Sequence, residues 1–345
     1  MKKKVYYGKV PVGADSIITV QSMTNTATAD INGTINQIKS LESLGCDIIR
    51  CAVPDMESAK AISEIKKQIE IPLIADIHFD YRLATEAVKM GADGIRINPG
   101  NIGDRSKVFE VVKACKEKNI PIRVGVNSGS VKQTFLDQYN GLNKHSLIES
   151  ALEQVRIIED CGYDNLVISI KSSDVRLTYD SYTLIAERTD YPLHLGVTEA
   201  GSYSNGIIKS AMGIGSLLLN GIGDTIRVSL TDTPDKEVIV GRKILQFLKI
   251  RPYGPNIISC PTCGRTKIDL ISIAKEVENR LSTSKKDVTV AIMGCIVNGP
   301  GEAREADIGI AGGKGEAVLF KKGQIVKKVR EDEIVQVLMD EIEKI

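Results

Sequence analysis

The sequence predicts an α/β protein: a closed (β/α)8 TIM barrel followed by a small α+β domain. Eight apolar, β-branched runs alternate with helical patterns over about the first 230 residues, and the pattern then changes. A chain of 345 residues is long enough for one domain of about 250 residues and a smaller one. We therefore expect a barrel over residues 1–250 and a second domain over residues 257–345.

The predicted barrel strands are separated by helical patterns. The strands cover residues 16–23, 47–53, 72–79, 94–99, 120–127, 165–173, 192–200 and 224–230. Between the first two, Ile and Leu recur at near-helical spacing over residues 35–44, and Gly45 ends the pattern. Alternating strands and helices give parallel strands with helical crossovers, and eight such units favour a closed barrel over an open sheet.

An open nucleotide-binding sheet would need a G-x-G-x-x-G loop after its first strand. The near match "GIGSLL" at Gly213 lacks the third glycine and lies in a helical pattern. The stretch "AGGKGEA" resembles a phosphate loop, but Ile308 stands where its first glycine is required, and Gly315 follows Lys314. The sequence therefore predicts neither type of nucleotide site.

The C-terminal region begins with an apolar strand that leads into a cysteine pair. A helix follows with Leu270, Ile273, Val277 and Leu281 on one face. A strand, a Gly-rich loop, a second strand, a hairpin over residues 317–329 and a charged helix complete the chain. This order of elements predicts a small α+β domain.

Composition excludes several classes of protein. Lys and Arg total 45 against 44 Asp and Glu, so no broad basic surface for nucleic acid is expected. The longest apolar runs are broken by Gly, Lys and Ser, which argues against a membrane span. No apolar region follows the lysines of the N-terminal stretch "MKKKVYYGKVPVG", so a signal peptide is not expected. Seven cysteines, an odd number without a secretory signal, argue against a disulfide framework and indicate a cytoplasmic protein.

Cations recur near the ends of the predicted barrel strands. They are Arg50, Arg96, Arg123, Lys171 and Arg227. Each alone could form a structural ion pair, because an unpaired charge inside an apolar strand is costly to bury. Their recurrence on five of eight strands, at the face where barrel active sites lie, instead indicates a small substrate with two phosphates.

Further polar residues lie on the same strand ends. Asn127, His194 and Ser229 could add hydrogen bonds to such a substrate. The candidates for proton transfer are two carboxylates and one imidazole: Asp76, His78 and Glu199.

Three cysteines lie in the C-terminal region: Cys260 and Cys263 in a C-x-x-C pair, and Cys295 after an apolar strand. No histidine follows His194, so a local zinc site of four cysteines or of three cysteines and one histidine is excluded. A zinc site with rarer ligands remains possible, and so does a thioredoxin-like dithiol at the start of a helix. The dithiol leaves Cys295 without a role.

Three thiolates and one weaker ligand also describe a [4Fe–4S] cluster with one exchangeable iron. Glu302, seven residues after Cys295, is the nearest carboxylate for the fourth position, and Glu305 is the second choice. The cysteine spacing favours the cluster and leaves zinc and the dithiol open. We therefore expect residues 1–250 to form the substrate-binding TIM barrel and residues 257–345 to form a small α+β iron–sulfur domain that holds a [4Fe–4S] cluster.

Eight motifs carry a resemblance to a known family. They are "QSMTNT" (21–26), "RCAVPD" (50–55), "ADIHFD" (75–80), "GIRINPGNIG" (94–103), "RVGVNSGS" (123–130), "LGVTEAG" (195–201), "SCPTCGR" (259–265) and "GCIVNGPGEAREADIGIAGG" (294–313). With these motifs the chain resembles the bacterial 4-hydroxy-3-methylbut-2-enyl diphosphate synthases over essentially its whole length.

The resemblance implies a reaction and a set of site residues. The substrate would be 2-C-methyl-D-erythritol 2,4-cyclodiphosphate, opened and dehydrated with two electrons from ferredoxin or flavodoxin. The cluster ligands would be Cys260, Cys263, Cys295 and Glu302. The diphosphate would bind Arg50, Arg96, Arg123, Asn127, Lys171, Arg227 and Ser229. The resemblance also implies a head-to-tail homodimer.

Overall fold

A computed structural model of the chain describes residues 2–282, 284–296 and 303–345. The chain divides into two compact units, Met1–Arg251 and Pro252–Ile345.

The first unit contains ten strands and ten α-helices among its described residues. The strands are β1 Lys4–Tyr7, β2 Val10–Gly13, β3 Thr19–Met23, β4 Ile48–Ala52, β5 Leu73–Asp76, β6 Gly94–Ile97, β7 Ile122–Asn127, β8 Leu166–Lys171, β9 His194–Leu195 and β10 Thr225–Ile226. The helices are α1 Ile31–Ser43, α2 Met56–Lys66, α3 Tyr81–Lys89, α4 Pro99–Ile102, α5 Arg105–Lys118, α6 Gln133–Gln138, α7 Lys144–Glu159, α8 Val175–Ala186, α9 Tyr203–Leu219 and α10 Pro234–Phe247.

Strands β3 to β10 form the predicted barrel. Their order is β8-β7-β6-β5-β4-β3-β10-β9, and all neighbours are parallel. A parallel bridge between Ile168 and Leu193 joins the two end strands. Each of the eight predicted strand regions contains one of these strands, so the barrel prediction is confirmed.

Helix α1 shows how the local sequence positions the elements around the barrel. The Asp30 carboxylate accepts a hydrogen bond from the Gly33 backbone N–H and begins the helix. Ile35, Ile38 and Leu41 form its buried face, and Gly45 follows the helix at φ +92°. The predicted helix and its end are therefore confirmed.

A hairpin that the sequence reasoning missed covers the amino ends of the barrel strands. Strands β1 and β2 pair antiparallel around Gly8, whose φ of +54° suits a two-residue turn. Tyr7 packs so close to β6 that a Cβ at position 94 would lie 2.4 Å from its ring, which explains Gly94. The apolar cluster at this end consists of Val5, Tyr7, Val12, Ile48, Ile74 and Val167. This end is sealed, which leaves the carboxyl end of the strands for binding.

The second unit is a five-stranded sheet with two helices in its described part. Its elements are β11 Asn256–Ser259, α11 Leu270–Leu281, β12 Thr289–Met293, β13 Ile308–Gly312, β14 Glu316–Lys321, β15 Gln324–Arg330 and α12 Ile334–Glu343. The strands lie in chain order; β11, β12 and β13 are parallel, and β14 and β15 continue antiparallel. The predicted face of α11 packs into the apolar core against this sheet.

The described residues contain no helix that is both long enough and apolar enough to cross a membrane.

Candidate functional site

The predicted cations converge on the interior of the barrel. Asp76 pairs in register with Arg96, Arg96 with Arg123, and Asn127 with Lys171. Residues paired in a parallel sheet point to the same face, so these side chains share one side of the sheet. Burial lowers the pKa of Lys171, and repulsion from the other positive charges lowers it further.

Asp76 is the carboxylate at the centre of two ion pairs. Its oxygens lie 3.1 Å from Arg96 Nη1 and 3.5 Å from Arg50 Nε. Burial opposes ionisation of Asp76, but Arg50, a hydrogen bond with His78, and Arg96 together hold its pKa well below the usual range. Asp76 is therefore an ionised acceptor that fixes two guanidinium groups.

The ion pair with Asp76 does not use all the N–H donors of the Arg50 guanidinium. Its other close partner is the thioether of Met23, which lies 3.0 Å from Nη2 and is a weak acceptor. These N–H groups would form stronger hydrogen bonds with an anion than they form with the thioether.

Arg123 was expected near the carboxyl end of its strand, but it lies near the amino end of β7 and is therefore more deeply buried. It is the second residue of β7, and only 1% of it is exposed. Its Nη1 donates to Gln21 Oε1 at 2.7 Å, whereas its buried Nη2 has no hydrogen-bond partner among the described residues. Burial lowers the pKa of Arg123 to about 10, so the side chain stays charged at neutral pH.

Lys171 ends β8 and is 7% exposed. None of the described carboxylates lies within ion-pair distance of its ammonium. A Cβ at position 196 would lie 2.7 Å from Lys171 Nζ, so Gly196 on the neighbouring chain segment makes room for the ammonium. A buried lysine amine without a described carboxylate partner would be stabilised in its protonated form by an anion.

Arg227 follows β10 and pairs with a carboxylate that the sequence reasoning missed. Its Nη2 lies 3.2 Å from Glu237 Oε2, and its buried Nε has no partner among the described residues. Glu237 comes from the first turn of α10, where an acidic residue is ordinary, so the sequence carries no signal of this role.

His194 is fully buried in β9. Burial, and then Arg123 and Lys171, lower its pKa well below the ordinary value, so the imidazole is neutral. Both ring nitrogens lack a hydrogen-bond partner among the described residues. A neutral imidazole here offers a ligand one donor and one acceptor.

The remaining predicted residues lie nearer the surface. Asn127 ends β7, and Ser229 follows β10 by three residues; both are half-buried. His78 Nε2 lies 3.7 Å from Asp76, and about half of the His78 side chain is exposed. Glu199 is exposed and adopts a left-handed backbone with φ +51°, a strained conformation that clusters at functional sites.

The barrel interior carries an excess of positive charge. Its described cations are Arg50, Arg96, Arg123, Lys171 and Arg227, and the carboxylates paired with them are Asp76 and Glu237. Such an excess, held inside walls of low dielectric, attracts anions strongly.

The cysteines lie at one edge of the second unit. Cys260 directly follows β11, and Cys295 follows the neighbouring parallel strand β12 after Gly294. Gly294 N–H donates to Cys260 Sγ at 3.2 Å. Hydrogen bonds from the Arg265 backbone, and then the Arg265 charge, lower the pKa of the exposed Cys263 thiol.

These features fit an iron–sulfur cluster. Thiolates with backbone N–H groups directed at their sulfurs are the usual surroundings of such a cluster. The described residues bring no three Cys, His, Asp or Glu side chains together as the ligands of one metal ion. A cluster binds one thiolate to each iron, so its ligands need not meet at one ion.

Two details bear on the alternatives. The predicted fourth ligand, Glu302, lies outside the described residues. The dithiol alternative expects the cysteine pair at the start of a helix, but α11 begins at Leu270, beyond the loop that holds Cys263. This placement removes the main structural argument for a thioredoxin-like pair.

Family comparisons cover both units. Residues 2–242 match the GcpE TIM-barrel domain, and residues 256–344 match the GcpE protein C-terminal domain.

Curated relatives match over nearly the whole chain. A protein of Clostridium acetobutylicum named 4-hydroxy-3-methylbut-2-en-1-yl diphosphate synthase (flavodoxin) is 60% identical over 341 residues, which is 99% of this chain and 98% of that protein. Proteins of the same name from Clostridium perfringens and Geobacter sulfurreducens are 59% and 55% identical, each over 99% of this chain and over 98% and 97% of their own lengths.

Solved structures agree on the barrel. The dihydropteroate synthase of Yersinia pestis has a TM-score of 0.53 at 12% identity and covers 72% of this chain and 98% of its own. A truncated 3-deoxy-D-arabino-heptulosonate 7-phosphate synthase of Thermotoga maritima has a TM-score of 0.52 at 12% identity, over 72% of this chain and 91% of its own. These structures support the fold alone. Because both family domains and the full-length relatives agree, the chain belongs to the GcpE family.

Proposed function

We propose that the chain converts 2-C-methyl-D-erythritol 2,4-cyclodiphosphate to 4-hydroxy-3-methylbut-2-en-1-yl diphosphate, with flavodoxin or ferredoxin as electron donor. The names of the full-length relatives support this product and a flavodoxin partner. The observation that carries the proposal is the excess of buried cations inside the barrel. The reaction breaks one carbon–oxygen bond to phosphate and one carbon–oxygen bond to a hydroxyl group. It consumes two electrons and two protons and releases one water.

The cations bind the diphosphate. Arg50 and Arg96, both held by Asp76, present guanidinium groups in a fixed arrangement, and Lys171 adds an ammonium that lacks a described carboxylate partner. Arg123 and Arg227 each retain a buried N–H group that no described residue accepts and that can donate to a phosphate oxygen. Asn127, His194 and Ser229 supply uncharged hydrogen-bonding groups beside them.

The same cations favour the opened form of the substrate. Ring opening frees a phosphate oxygen and adds negative charge to the diphosphate. A surplus of cations therefore interacts more strongly with the opening substrate than with the closed ring, which is the condition for catalysis. The contribution of the barrel residues to this step is electrostatic.

The departing hydroxyl needs a proton. Asp76 is held ionised by its two arginines, so we assign it to positioning them rather than to donating a proton. We assign the proton to Glu199, which lies at the barrel's carboxyl end on a strained backbone, with His78 as the second candidate.

The electrons require a cofactor that the barrel does not supply. We propose that Cys260, Cys263, Cys295 and Glu302 hold a [4Fe–4S] cluster. When bound, such a cluster supplies single electrons and an iron that can act as a Lewis acid. The lowered pKa of Cys263 and the Gly294 N–H bond to Cys260 support this ligand set, because both favour thiolates.

A turnover assay tests the proposal. Protein purified without oxygen is mixed with the cyclic diphosphate and chemically reduced flavodoxin, and the linear diphosphate is measured by mass spectrometry. We expect product that requires both the electron donor and the protein. Cluster-loaded protein that makes no product would contradict the proposal. The homodimer and the cytoplasmic location stay predictions.

A further inference from the structure

Glu237 is a buried carboxylate that neither the sequence reasoning nor the proposed reaction uses. It is 4% exposed and lies in the first turn of α10, after Pro234 at the helix start. A Cβ at position 241 would lie 3.1 Å from Val20 of β3, so Gly241 lets α10 pack close to the barrel wall. The helix therefore holds the Glu237 backbone at a fixed distance from the barrel.

The Glu237 carboxylate accepts hydrogen bonds from three different groups. Its Oε2 accepts from Arg227 Nη2 at 3.2 Å and from Ser22 Oγ at 3.4 Å. Its Oε1 accepts from the Leu230 backbone N–H at 2.9 Å. One side chain thus joins strand β3, the Arg227 guanidinium and the segment that follows β10.

These contacts fix two groups of the proposed diphosphate site. The ion pair holds one edge of the Arg227 guanidinium, while its buried Nε has no partner among the described residues. Ser229 lies between Arg227 and Leu230, so Glu237 restrains the chain on both sides of it. A buried charge pair with a further backbone donor is more rigid than a surface ion pair.

We propose that Glu237 is a positioning residue, which orients Arg227 and Ser229 toward the substrate's phosphates. The inference rests on the proposed function only in naming that substrate. Any diphosphate anion bound inside the barrel meets the same two groups. Glu237 acts through Arg227 and does not itself contact the substrate.

The substitution Glu237→Gln tests this role. Glutamine keeps an acceptor for Leu230 N–H, but it removes the charge and can turn an amide N–H₂ toward the guanidinium, which then loses its orientation. We expect the Kd for inorganic pyrophosphate and the KM for the cyclic diphosphate each to rise by about tenfold. The matched control Glu149→Gln, which removes a half-buried carboxylate of α7 paired with Arg156 and Arg188, should change neither value.

A double-mutant cycle separates positioning from general destabilisation. In an Arg227→Gln background, Glu237→Gln should cause no further rise in the pyrophosphate Kd, because the group it orients is absent. Glu237→Asp, which keeps the charge but shortens the side chain, should raise the Kd to an intermediate value. It serves as the test variant if Glu237→Gln does not fold.

The measurements distinguish failure of the positioning role from failure of the proposed function. An unchanged Kd in Glu237→Gln, an equal rise in both backgrounds, or wild-type protein that binds no pyrophosphate would overturn the positioning role. Wild-type protein that shows the coupling in pyrophosphate binding but does not convert the cyclic diphosphate would contradict the proposed function and leave the positioning role intact.

Discussion

The barrel site and the cysteine edge are both built on parallel strands, but their side chains are held differently. In the barrel, Arg50, Arg96 and Arg123 lie within the strands themselves. At the cysteine edge, Cys260 and Cys295 lie beyond the ends of β11 and β12, and Cys263 is exposed in a loop. The strands hold these arginines in fixed positions, whereas the cysteines lie in loops.

The difference fits the two proposed tasks. Binding a diphosphate requires several cations at set distances, and strand positions keep them there although they repel one another. A cluster brings its own geometry and needs thiolates that can be reached during assembly. Substitutions in the barrel should therefore change binding and stability together, and substitutions at the cysteine edge should change metal content.

The largest effect is expected for Cys295→Ser. Loss of one of three thiolates should abolish the cluster's brown colour and all turnover. The barrel should still bind pyrophosphate. Absorbance near 400 nm, iron content and turnover of protein prepared without oxygen measure the effect.

The matched control is Cys161→Ser. Cys161 is half-buried, and its thiol donates to the Ile157 carbonyl, which a serine hydroxyl can also do. This variant should keep full colour. A coloured and active Cys295→Ser variant would remove Cys295 from the ligand set.

Lys171→Met should weaken substrate binding and stabilise the substrate-free protein. A buried lysine amine without a described carboxylate partner opposes folding, because burial lowers its pKa and disfavours its charged form, and methionine of similar length removes this cost. We expect the KM to rise on the order of 100-fold, with a higher Tm in the absence of substrate. Kinetics and thermal unfolding measure the two effects, with Lys60→Met on the exposed face of α2 as control. A lower Tm together with an unchanged KM would show that Lys171 is structural.

Tyr7→Ala should destabilise the barrel at its sealed end. Removing a fully buried ring that packs on Gly94 leaves a cavity and should lower the free energy of unfolding by about 3–5 kcal/mol. The neighbouring Tyr6 is 54% exposed, so Tyr6→Ala should lower it by less than about 1 kcal/mol. Urea unfolding gives both values. Equal losses would mean that the hairpin does not seal the barrel.

The smallest effect is a change in pH dependence. His194 is neutral in the folded protein because burial lowers its pKa, while in the unfolded chain it takes up a proton below about pH 6.5. Its presence should therefore leave stability unchanged above about pH 6.5 and reduce it as the pH falls further, by up to about 1.4 kcal/mol per pH unit.

His194→Gln should flatten this part of the stability profile, and His145→Gln on the surface should not. Urea unfolding at several pH values between 7.5 and 5 measures the slopes. Identical slopes for wild-type protein and His194→Gln would show that the imidazole titrates normally.

Much of the fold follows from patterns that the sequence displays. Eight β-branched runs with helical segments between them predict the barrel, since burial on both faces demands such strands. The hairpin β1–β2 was missed although Val5 and Tyr7 alternate with polar residues before Gly8. Its role became visible only through contacts with residues far away in the chain, such as Ile74 and Val167.

The cations of the site were predictable because charge inside an apolar strand is costly and therefore conspicuous. Their partners were not. Gln21 and Glu237 are ordinary residues in a polar motif and in a helix's first turn, and the structure alone brings them to Arg123 and Arg227. Pairing between distant elements depends on register and helix packing, which local patterns do not encode.

The central claim is that the barrel binds the diphosphate by charge while the cysteine edge supplies the redox centre. Iron and acid-labile sulfide analysis of protein purified without oxygen tests it most directly. We predict about four iron atoms and four sulfides per chain. Stoichiometric zinc without sulfide would contradict the account.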